Sequence, residues 1–331
     1  MVQESENFSI NNYPVDIVYL WCDSSDSIWR EKKNNELKKY GKNLDNDSVG
    51  DCRFIDNDEL KYSLRSLEKF APWINNIFIV TDNQIPNWLD ITNPKIHIID
   101  HTQIMPPEAL PTFNSMAIET VLHKIPNLSE HFLYANDDMF FGNFVEKEFF
   151  FDKVGAPIVR FLKRHIIKKI YRRLYGYTIS ESYKLVQNKI GKSCPNFPHH
   201  NIDAYRKSDL QQCCEEFKEI FYKTMLQKFR EKESVQRSIF GYYSLAKGNG
   251  VARIVNNFAT KFVGFLMSRP QDSMLIELRA SRIKLVENNR PYLFCFNDSL
   301  KTTDDDRLAM RKFLDEKFPK QSSFEKVVED V

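Results

Sequence analysis

Short apolar runs alternate with helix-patterned stretches through the first half of the chain. Four runs rich in β-branched and aromatic residues predict buried strands, and the intervening stretches have the spacing of helices. The predicted strands are residues 15–21, 76–81, 95–99 and 131–135, and the predicted helices are residues 27–40, 57–70 and 114–123. Strands that alternate with helices form parallel sheets, so this pattern predicts an α/β fold with a mostly parallel sheet flanked by helices.

The second half of the chain reads as more helical and more charged. Residues 163–175 have apolar positions on one side and Lys and Arg on the other, which predicts a basic amphipathic helix. Such a helix fits either a membrane surface or a core-packed position with a solvated face. Further predicted elements are helices over 209–231 and 304–318, and a strand over 292–296. We therefore divide the chain into an α/β part (1–152), a helical insertion (153–275) and a C-terminal strand and helix that complete the core (276–331).

Composition and charge exclude several classes of protein. The 331 residues carry a formal net charge of +2 and are 42% apolar, which is typical of a folded protein without a global basic field. We therefore expect no nucleic-acid partner. The chain has only 10 Gly and neither a GxxxxGK[ST] nor a GxGxxG motif, so the usual glycine cradles for nucleotide phosphates are missing.

Targeting and cysteine patterns favour a cytoplasmic protein. No apolar run approaches the ~18 residues that cross a bilayer, and the polar, acidic residues 1–14 do not resemble a secretory signal. The six Cys form no CxxC pair, so neither a zinc site nor a redox motif is predicted, and we expect reduced thiols.

Polar side chains follow the predicted strands, and ligands of open α/β sheets bind beyond the carboxyl ends of strands. Asp137 and Asp138 follow the fourth strand, where adjacent carboxylates are suited to Mg²⁺ and a bound diphosphate. Asn297 and Asp298 repeat this chemistry after the C-terminal strand. Such residues also occur in ordinary turns and helix caps. Asp23 and Asp26, which follow the first strand, could bind a ribose or a base or could equally cap the following helix.

A histidine pair and two arginines complete the candidate chemistry. His199 and His200 follow two prolines in a polar loop, where a histidine can serve as a general base or remain an ordinary surface residue. Arg230 and Arg237 flank the end of a charged stretch, and they could bind phosphate if they turn toward the strand ends.

Several sequence segments resemble the conserved blocks of the Stealth family. That family includes bacterial capsule and cell-wall polysaccharide phosphotransferases and the animal N-acetylglucosamine-1-phosphotransferase. Residues 16–26 are similar to its first block. The second block is matched by residues 56–60, 63–73, 79–84, 110–115 and 132–138. The third is matched by residues 200–202, 205–208 and Arg230, and the fourth by residues 294–298 and 318–325. The sequence departs from the family pattern at Cys22, Ser24 and Ile202.

The resemblance implies an enzyme that transfers a hexose-1-phosphate or N-acetylhexosamine-1-phosphate from a UDP-sugar to a glycan hydroxyl. The products are a phosphodiester and UMP. It implies His200 as general base, with His199 as the alternative, and Arg230 as a phosphate clamp. Acceptor orientation or binding of Mg²⁺ (or Mn²⁺) is implied for Asn136, Asp137, Asp138, Asn297 and Asp298. Trp21, Asp23 and Asp26 would line the nucleotide end of the site. Further substrate contacts are implied for Asp58, Asn114 and Arg237.

The implied setting is bacterial surface polysaccharide synthesis on a Rossmann-like (GT-A-like) core. The expected acceptor is a lipid-linked oligosaccharide or other glycan, with the inner face of the membrane as a peripheral site. Two alternatives stay open. One is a GT-A-type glycosyltransferase that releases UDP, and the other is a non-enzymatic glycan- or membrane-binding protein.

Overall fold

The computed structural model describes residues 13–40, 44, 46–166, 174–255 and 271–327. The strands are β1 (Val15–Leu20), β2 (Ile77–Thr81), β3 (Ile96–Asp100), β4 (His131–Asn136), β5 (Met139–Phe141), β6 (Ile158–His165), β7 (Asn196–Pro198), β8 (Asp203–Arg206), β9 (Val251–Val255), β10 (Ser273–Glu277) and β11 (Leu293–Asn297). The helices are α1 (Ser27–Tyr40), α2 (Asn46–Val49), α3 (Glu59–Phe70), α4 (His101–Ile104), α5 (Ser115–Glu119), α6 (Leu174–Ile190), α7 (Lys207–Glu216), α8 (Lys218–Leu226), α9 (Ser238–Lys247), α10 (Ala280–Asn289) and α11 (Asp304–Lys317).

The central sheet has five strands in the order β3-β2-β1-β4-β8. The first four are parallel and β8 runs antiparallel to β4. All six residues of β1 are buried, because helices cover both faces of a central parallel strand. Ile17 and Tyr19 pack into one core, while Val18 and Leu20 pack into the other. The expected α/β fold, with a parallel-rich sheet flanked by helices, is confirmed.

Two smaller sheets lie beside the central one, in the orders β10-β11-β5 and β7-β6-β9. The predicted C-terminal strand is β11, but it pairs with β10 and β5 and does not join the central sheet. Leu293 and Cys295 of β11 nevertheless pack into the same core as β1. The C-terminal strand therefore joins the core by packing, and its end lies beside the β4–β5 turn.

The segment 153–275, expected to be helical, contributes strands as well as α6–α9. Within its described residues are β6, β7, β8, β9 and the start of β10. β8 extends the central sheet, with Ala204 and Tyr205 buried on opposite faces. A four-residue strand is too short to give a clear alternation in sequence, which is why β8 was not predicted.

Three predicted helices differ from those in the structure. Lys163, Arg164 and His165 lie in β6 because they continue a strand paired with β7 and β9; residues 167–173 of the predicted amphipathic helix are outside the described residues. The predicted helix 209–231 is broken at Phe217 into α7 and α8 and ends at Leu226, so Arg230 lies in a loop. The helix predicted over 114–123 is only the short α5. No helix of the described residues is long and apolar enough to span a membrane.

Candidate active site

A cleft of about 770 Å³ opens at the carboxyl ends of the central strands. β1 and β4 are parallel neighbours in which Leu20 is opposite Asn136, so Trp21 and Asp137 emerge at the same edge. The structure brings ten of the predicted residues into the lining of this cleft: Trp21, Asn114, Asn136, Asp137, Asp138, His200, Arg230, Arg237, Asn297 and Asp298. Side chains from distant parts of the chain thus meet in one place.

The two adjacent aspartates form the turn between β4 and β5 on the cleft floor. Asp137 Oδ1 accepts a hydrogen bond from the backbone N–H of Asp138 (3.0 Å), and Phe296 N donates to the carbonyl of Asp138 (3.1 Å). Burial raises the pKa of Asp138 to about 6, although a hydrogen bond from the Cys295 thiol opposes the shift. Burial and the neighbouring charge of Asp138 raise the pKa of Asp137 well above its usual value.

Asp138 has an atom suited to a cation. Its Oδ1 is buried and has no hydrogen-bond partner among the described residues, while its Oδ2 accepts from the Cys295 thiol. A buried carboxylate oxygen without a partner is costly unless a donor or a cation completes it. The described residues contain no group of three or more His, Cys, Asp or Glu side chains arranged to hold a metal. Oxygens of a bound phosphate and water would have to complete the shell of any cation here.

Asp298 is engaged elsewhere, although it lines the cleft. Its carboxylate forms an ion pair with Arg307 (Oδ2 to Nε, 2.9 Å), and its Oδ1 accepts from the backbone of Ser299 (2.6 Å). Because α11 supplies this arginine, the carboxylate is already neutralised. The structure thus disfavours Asp298 as a metal ligand and leaves Asn297, which lines the cleft and whose side-chain oxygen accepts no hydrogen bond from the described residues.

The histidine pair is split by the structure. Nδ1 of His200 lies 2.6 Å from the hydroxyl of Tyr175, and the ring lines the cleft. Burial and then the charge of Arg237 lower the pKa of His200 well below 6.5, so the ring is neutral at neutral pH. No described residue hydrogen-bonds to Nε2. The geometry of His200 is therefore that of a base whose second nitrogen is oriented by a neighbour.

His199 faces away from the cleft. Its Nδ1 is 2.9 Å from Ser273 Oγ, and its Nε2 is 3.3 Å from a carboxylate oxygen of Asp203. The side chain is buried and both ring nitrogens have partners. His199 thus connects β10 to β8, and between the two candidates only His200 has access to a substrate in the cleft.

Arg230 is held in place by α5. Asn114 caps this helix by accepting from the backbone of Met116 (3.1 Å), and its amide donates to the carbonyls of Gln227 (3.1 Å) and Phe229 (3.2 Å). The loop after α8 is thereby fixed, and Arg230 Nη2 donates to Ser115 Oγ (2.8 Å). Asn114 is therefore buried and fixes the loop that carries Arg230, while the expected contact of Asn114 with the donor stays a prediction.

The two predicted arginines have different electrostatic surroundings. Arg237 Nε forms an ion pair with Asp203 Oδ2 (2.9 Å), and its backbone N–H donates to Glu119 (2.8 Å). Arg230 has no ion pair among the described residues. Burial, followed by repulsion from Arg53, lowers the pKa of Arg230 to about 10. An anion in the cleft would relieve this repulsion, so Arg230 is the better placed of the two to bind phosphate.

Three predicted residues lie outside the cleft lining because local structure uses their carboxylates. Asp23 accepts from the backbone and hydroxyl of Ser25 (2.7 and 2.6 Å), which forms a turn. Asp26 accepts from the backbone of Ile28 (2.8 Å) and caps α1. Asp58 precedes α3 with a left-handed φ of 66° and forms an ion pair with Lys61 (3.2 Å). In the structure these carboxylates form a turn, a helix cap and an ion pair, and the substrate contacts expected of them stay predictions.

The cleft also contains charged and polar residues that the sequence did not single out. Arg53, Glu59, Glu119 and Tyr175 line it. Burial raises the pKa of Glu59 to about 8, against hydrogen bonds from Asn57. Each is a single residue inside or next to an ordinary helix, so its type and spacing gave no signal, and only the tertiary fold brings it to the cleft.

The sequence of this chain matches known proteins over most of its length. A family model described as Stealth protein CR2, conserved region 2, matches residues 53–159. The capsular polysaccharide phosphotransferase fcs1 of Haemophilus influenzae is 34% identical over 297 residues, which cover 86% of this chain and 78% of that protein. The capsular polysaccharide phosphotransferase LcbA of Neisseria meningitidis is 31% identical over 295 residues, covering 87% of this chain and 78% of that protein.

Other matches are partial or distant. An exopolysaccharide phosphotransferase of Streptomyces coelicolor is 33% identical over 95% of this chain, and the chain spans about half (53%) of that relative. Among solved structures, the galactosyltransferase LgtC in complex with donor and acceptor sugar analogs has a TM-score of 0.43 at 11% identity, covering 93% of this chain and 98% of that one. That TM-score is below 0.5, so the family assignment rests on the sequence matches.

These three sequence relatives share one class, since each is named as a phosphotransferase of a capsular polysaccharide or an exopolysaccharide. The chain belongs to the Stealth family. The family model covers the second of the blocks recognised in the sequence, and the turn with Asp137 and Asp138 lies inside it.

Proposed function

We propose that this protein transfers a hexose-1-phosphate or N-acetylhexosamine-1-phosphate from a UDP-sugar to a glycan hydroxyl in bacterial surface polysaccharide synthesis. UMP is released and a phosphodiester is formed. The observation that carries the proposal is the convergence of His200, Arg230, Asp137 and Asp138 in one cleft of a Stealth-family protein. The names of the relatives support a phosphotransferase acting on polysaccharide.

The chemistry requires a base, an oxyanion partner and orientation of the acceptor. The acceptor hydroxyl gives its proton to Nε2 of His200 as its oxygen attacks the sugar-linked phosphorus. Nδ1 of His200 then donates to the Tyr175 hydroxyl, which keeps the ring in place. Arg230 bonds the phosphoryl oxygens and stabilises their charge in the transition state. Asn136 lines the same edge and is suited to hold the acceptor.

The residues present fit a divalent cation, Mg²⁺ or Mn²⁺. Asp137 would hold it together with Asp138, whose buried Oδ1 has no partner among the described residues, and Asn297 at the β11 end is a further oxygen donor in the cleft lining. When bound, the cation would neutralise the charge of the diphosphate. Trp21 lines the cleft beside the end of β1, and we assign it to the nucleotide end of the donor.

We further propose a lipid-linked oligosaccharide or other glycan as acceptor, in the cytoplasm at the inner face of the membrane. The basic residues Lys168, Lys169, Arg172 and Arg173, which are outside the described part of the chain, support a peripheral contact with anionic lipid. Salt-sensitive binding to anionic liposomes that is lost when these Lys and Arg residues are replaced by Gln would support this contact. Unchanged binding would contradict it.

The test of the reaction is the identity of the released nucleotide. The full chain is incubated with a panel of UDP-sugars and glycan acceptors, and products are analysed by mass spectrometry. UMP together with a phosphodiester-linked product is the expected result. UDP with a glycosidic product would identify a glycosyltransferase instead, and liposome or glycan binding without turnover would identify a binding protein.

A further inference from the structure

Arg53 is a cation in the cleft to which no role has been assigned above. It ends a short 3₁₀ turn, Asp51–Arg53, and its side chain lines the cleft. In the part of the chain that the structure describes, no carboxylate or hydrogen-bond acceptor pairs with its guanidinium. Surface arginines are usually solvated, so this lack of a partner needs a second observation to become informative.

The second observation is the electrostatic position of Arg53. Its charge acts on three groups of the proposed site: after burial, it is the main cause that lowers the pKa of Arg230, and it also bears on the pKa of Asp138 and of His200. The Arg230 side chain is partly buried, and among the described residues its guanidinium has one hydrogen-bond partner, the Ser115 hydroxyl. Two guanidinium groups that repel each other beside a cleft favour an anion between them.

The backbone around Arg53 indicates which part of a ligand it would meet. Ser24, in the loop after β1, donates to the carbonyl of Phe54 (3.0 Å), so the Arg53 turn is joined to the loop that follows Trp21. Arg230 lies in the loop before α9, where it is joined to α5 through Ser115 and where its carbonyl accepts from Ser48 Oγ of α2 (2.7 Å). Because Trp21 is assigned to the nucleotide end, a diphosphate bound between the two arginines would have its nucleotide-side phosphate at Arg53 and its sugar-side phosphate at Arg230.

We propose that Arg53 binds the nucleotide-side phosphate of the donor diphosphate and stabilises the leaving nucleoside monophosphate. As the acceptor oxygen bonds to the sugar-side phosphorus, the bond from that phosphorus to the bridging oxygen breaks. The electron pair of this bond goes to the bridging oxygen, whose charge Arg53 neutralises, while the acceptor proton goes to His200. This inference rests on the proposed function for the identity of the donor.

The experiment measures binding by isothermal titration calorimetry, so it does not depend on turnover. UMP has only the nucleotide-side phosphate, glucose-1-phosphate has only the sugar-side phosphate, and inorganic pyrophosphate has neither base nor sugar. Arg53→Gln is compared with Arg311→Gln, which removes an exposed arginine of α11 outside the cleft lining. Matched melting temperatures check that both variants fold.

We expect Arg53→Gln to weaken binding of UMP and pyrophosphate by about 10- to 100-fold, the loss typical of a charge-assisted hydrogen bond. Binding of glucose-1-phosphate and all affinities of Arg311→Gln should be unchanged. Unchanged UMP and pyrophosphate affinity in Arg53→Gln would overturn the proposal, and so would a selective loss of glucose-1-phosphate binding. The two proposals can fail separately. If pyrophosphate binding depends on Arg53 and UMP does not bind, the proposed donor is wrong, and if UDP is the product, the proposed reaction is wrong. In both cases Arg53 still binds an anion.

Discussion

The hydroxyl of Tyr175 lies 2.6 Å from Nδ1 of His200, and the two rings meet edge to face with centroids 5.2 Å apart. Tyr175 is the second residue of α6, and His200 lies in the loop after β7, so the contact joins two parts of the segment 153–275. Burial raises the pKa of Tyr175, which keeps its hydroxyl protonated. A neutral, buried hydroxyl at Nδ1 fixes the ring and directs Nε2 to the cleft.

The first prediction separates the two adjacent histidines. His200→Ala should lower kcat by about 100- to 10,000-fold, because a positioned general base accounts for rate factors of that size. His199→Gln should retain the order of magnitude of kcat, because its side chain bonds to Ser273 and Asp203 outside the cleft. Initial rates of phosphodiester formation test this. Near-normal transfer by His200→Ala, with loss in His199→Gln, would show that the base is misassigned.

The second prediction concerns the orientation of the His200 ring. Tyr175→Phe removes only the hydroxyl and should lower kcat by about 10-fold with little change in KM, as expected when a group that orients a functional histidine is lost. Tyr183→Phe is the matched control, because Tyr183 lies on the same helix and its hydroxyl, among the described residues, bonds only to Gln187 (3.4 Å). The ¹⁵N chemical shifts of His200 should also change in Tyr175→Phe. Equal kcat and shifts in both variants would exclude the positioning role.

The parts of this fold that follow from the sequence are those with long, uninterrupted patterns. α3 and the four parallel strands were predictable because their apolar residues recur along the element with the spacing of a helix face or a buried strand. The opposite directions of the His199 and His200 side chains were not predictable. The partner that holds His199 away from the cleft is Ser273, which is distant in sequence and comes close only in the folded chain. Asp298 was suggested as a metal ligand by its place at a strand end, and only the position of α11 shows that Arg307 occupies it. Pairings between distant elements decide such cases.

The third prediction concerns stability and pH. Arg65 and Glu325 form a two-fold ion pair of 2.7 Å contacts that joins α3 to the C-terminal segment, and both side chains are at most 10% exposed. Glu325→Ala should destabilise the fold by about 3 kcal/mol, because it leaves a mostly buried arginine without its partner. Urea unfolding at neutral pH measures this, and Glu316→Ala, on the exposed face of α11, is the control.

The ion pair also sets the sign of a pH effect. The partners of Glu325, chiefly Arg65, outweigh the opposing effect of burial and lower its pKa below 4.5 in the folded state. A carboxyl with a lowered folded-state pKa stabilises the protein above its unfolded pKa, and this stabilisation is lost as the pH falls through the folded pKa. The difference in free energy of unfolding between wild type and Glu325→Ala should therefore shrink below about pH 4. A difference that stays constant down to pH 2 would contradict this assignment.

The fourth prediction concerns the buried aspartates and opposes stability to function. Burial raises the folded-state pKa of Asp138 to about 6, so at pH 7 its charge destabilises the metal-free protein. Asp138→Asn should thus raise the melting temperature at pH 7 without metal, and this gain should fade as the pH falls below about 6, where the wild-type carboxyl takes up a proton. In the same variant Mg²⁺ should no longer raise the melting temperature, and transfer should fall by at least 100-fold.

Asp298→Asn is the comparison for this prediction. The Asp298 carboxylate is paired with Arg307, so the Mg²⁺-dependent rise in melting temperature should persist in this variant. Loss of that rise in Asp298→Asn but not in Asp138→Asn would assign the cation to the β11 end instead.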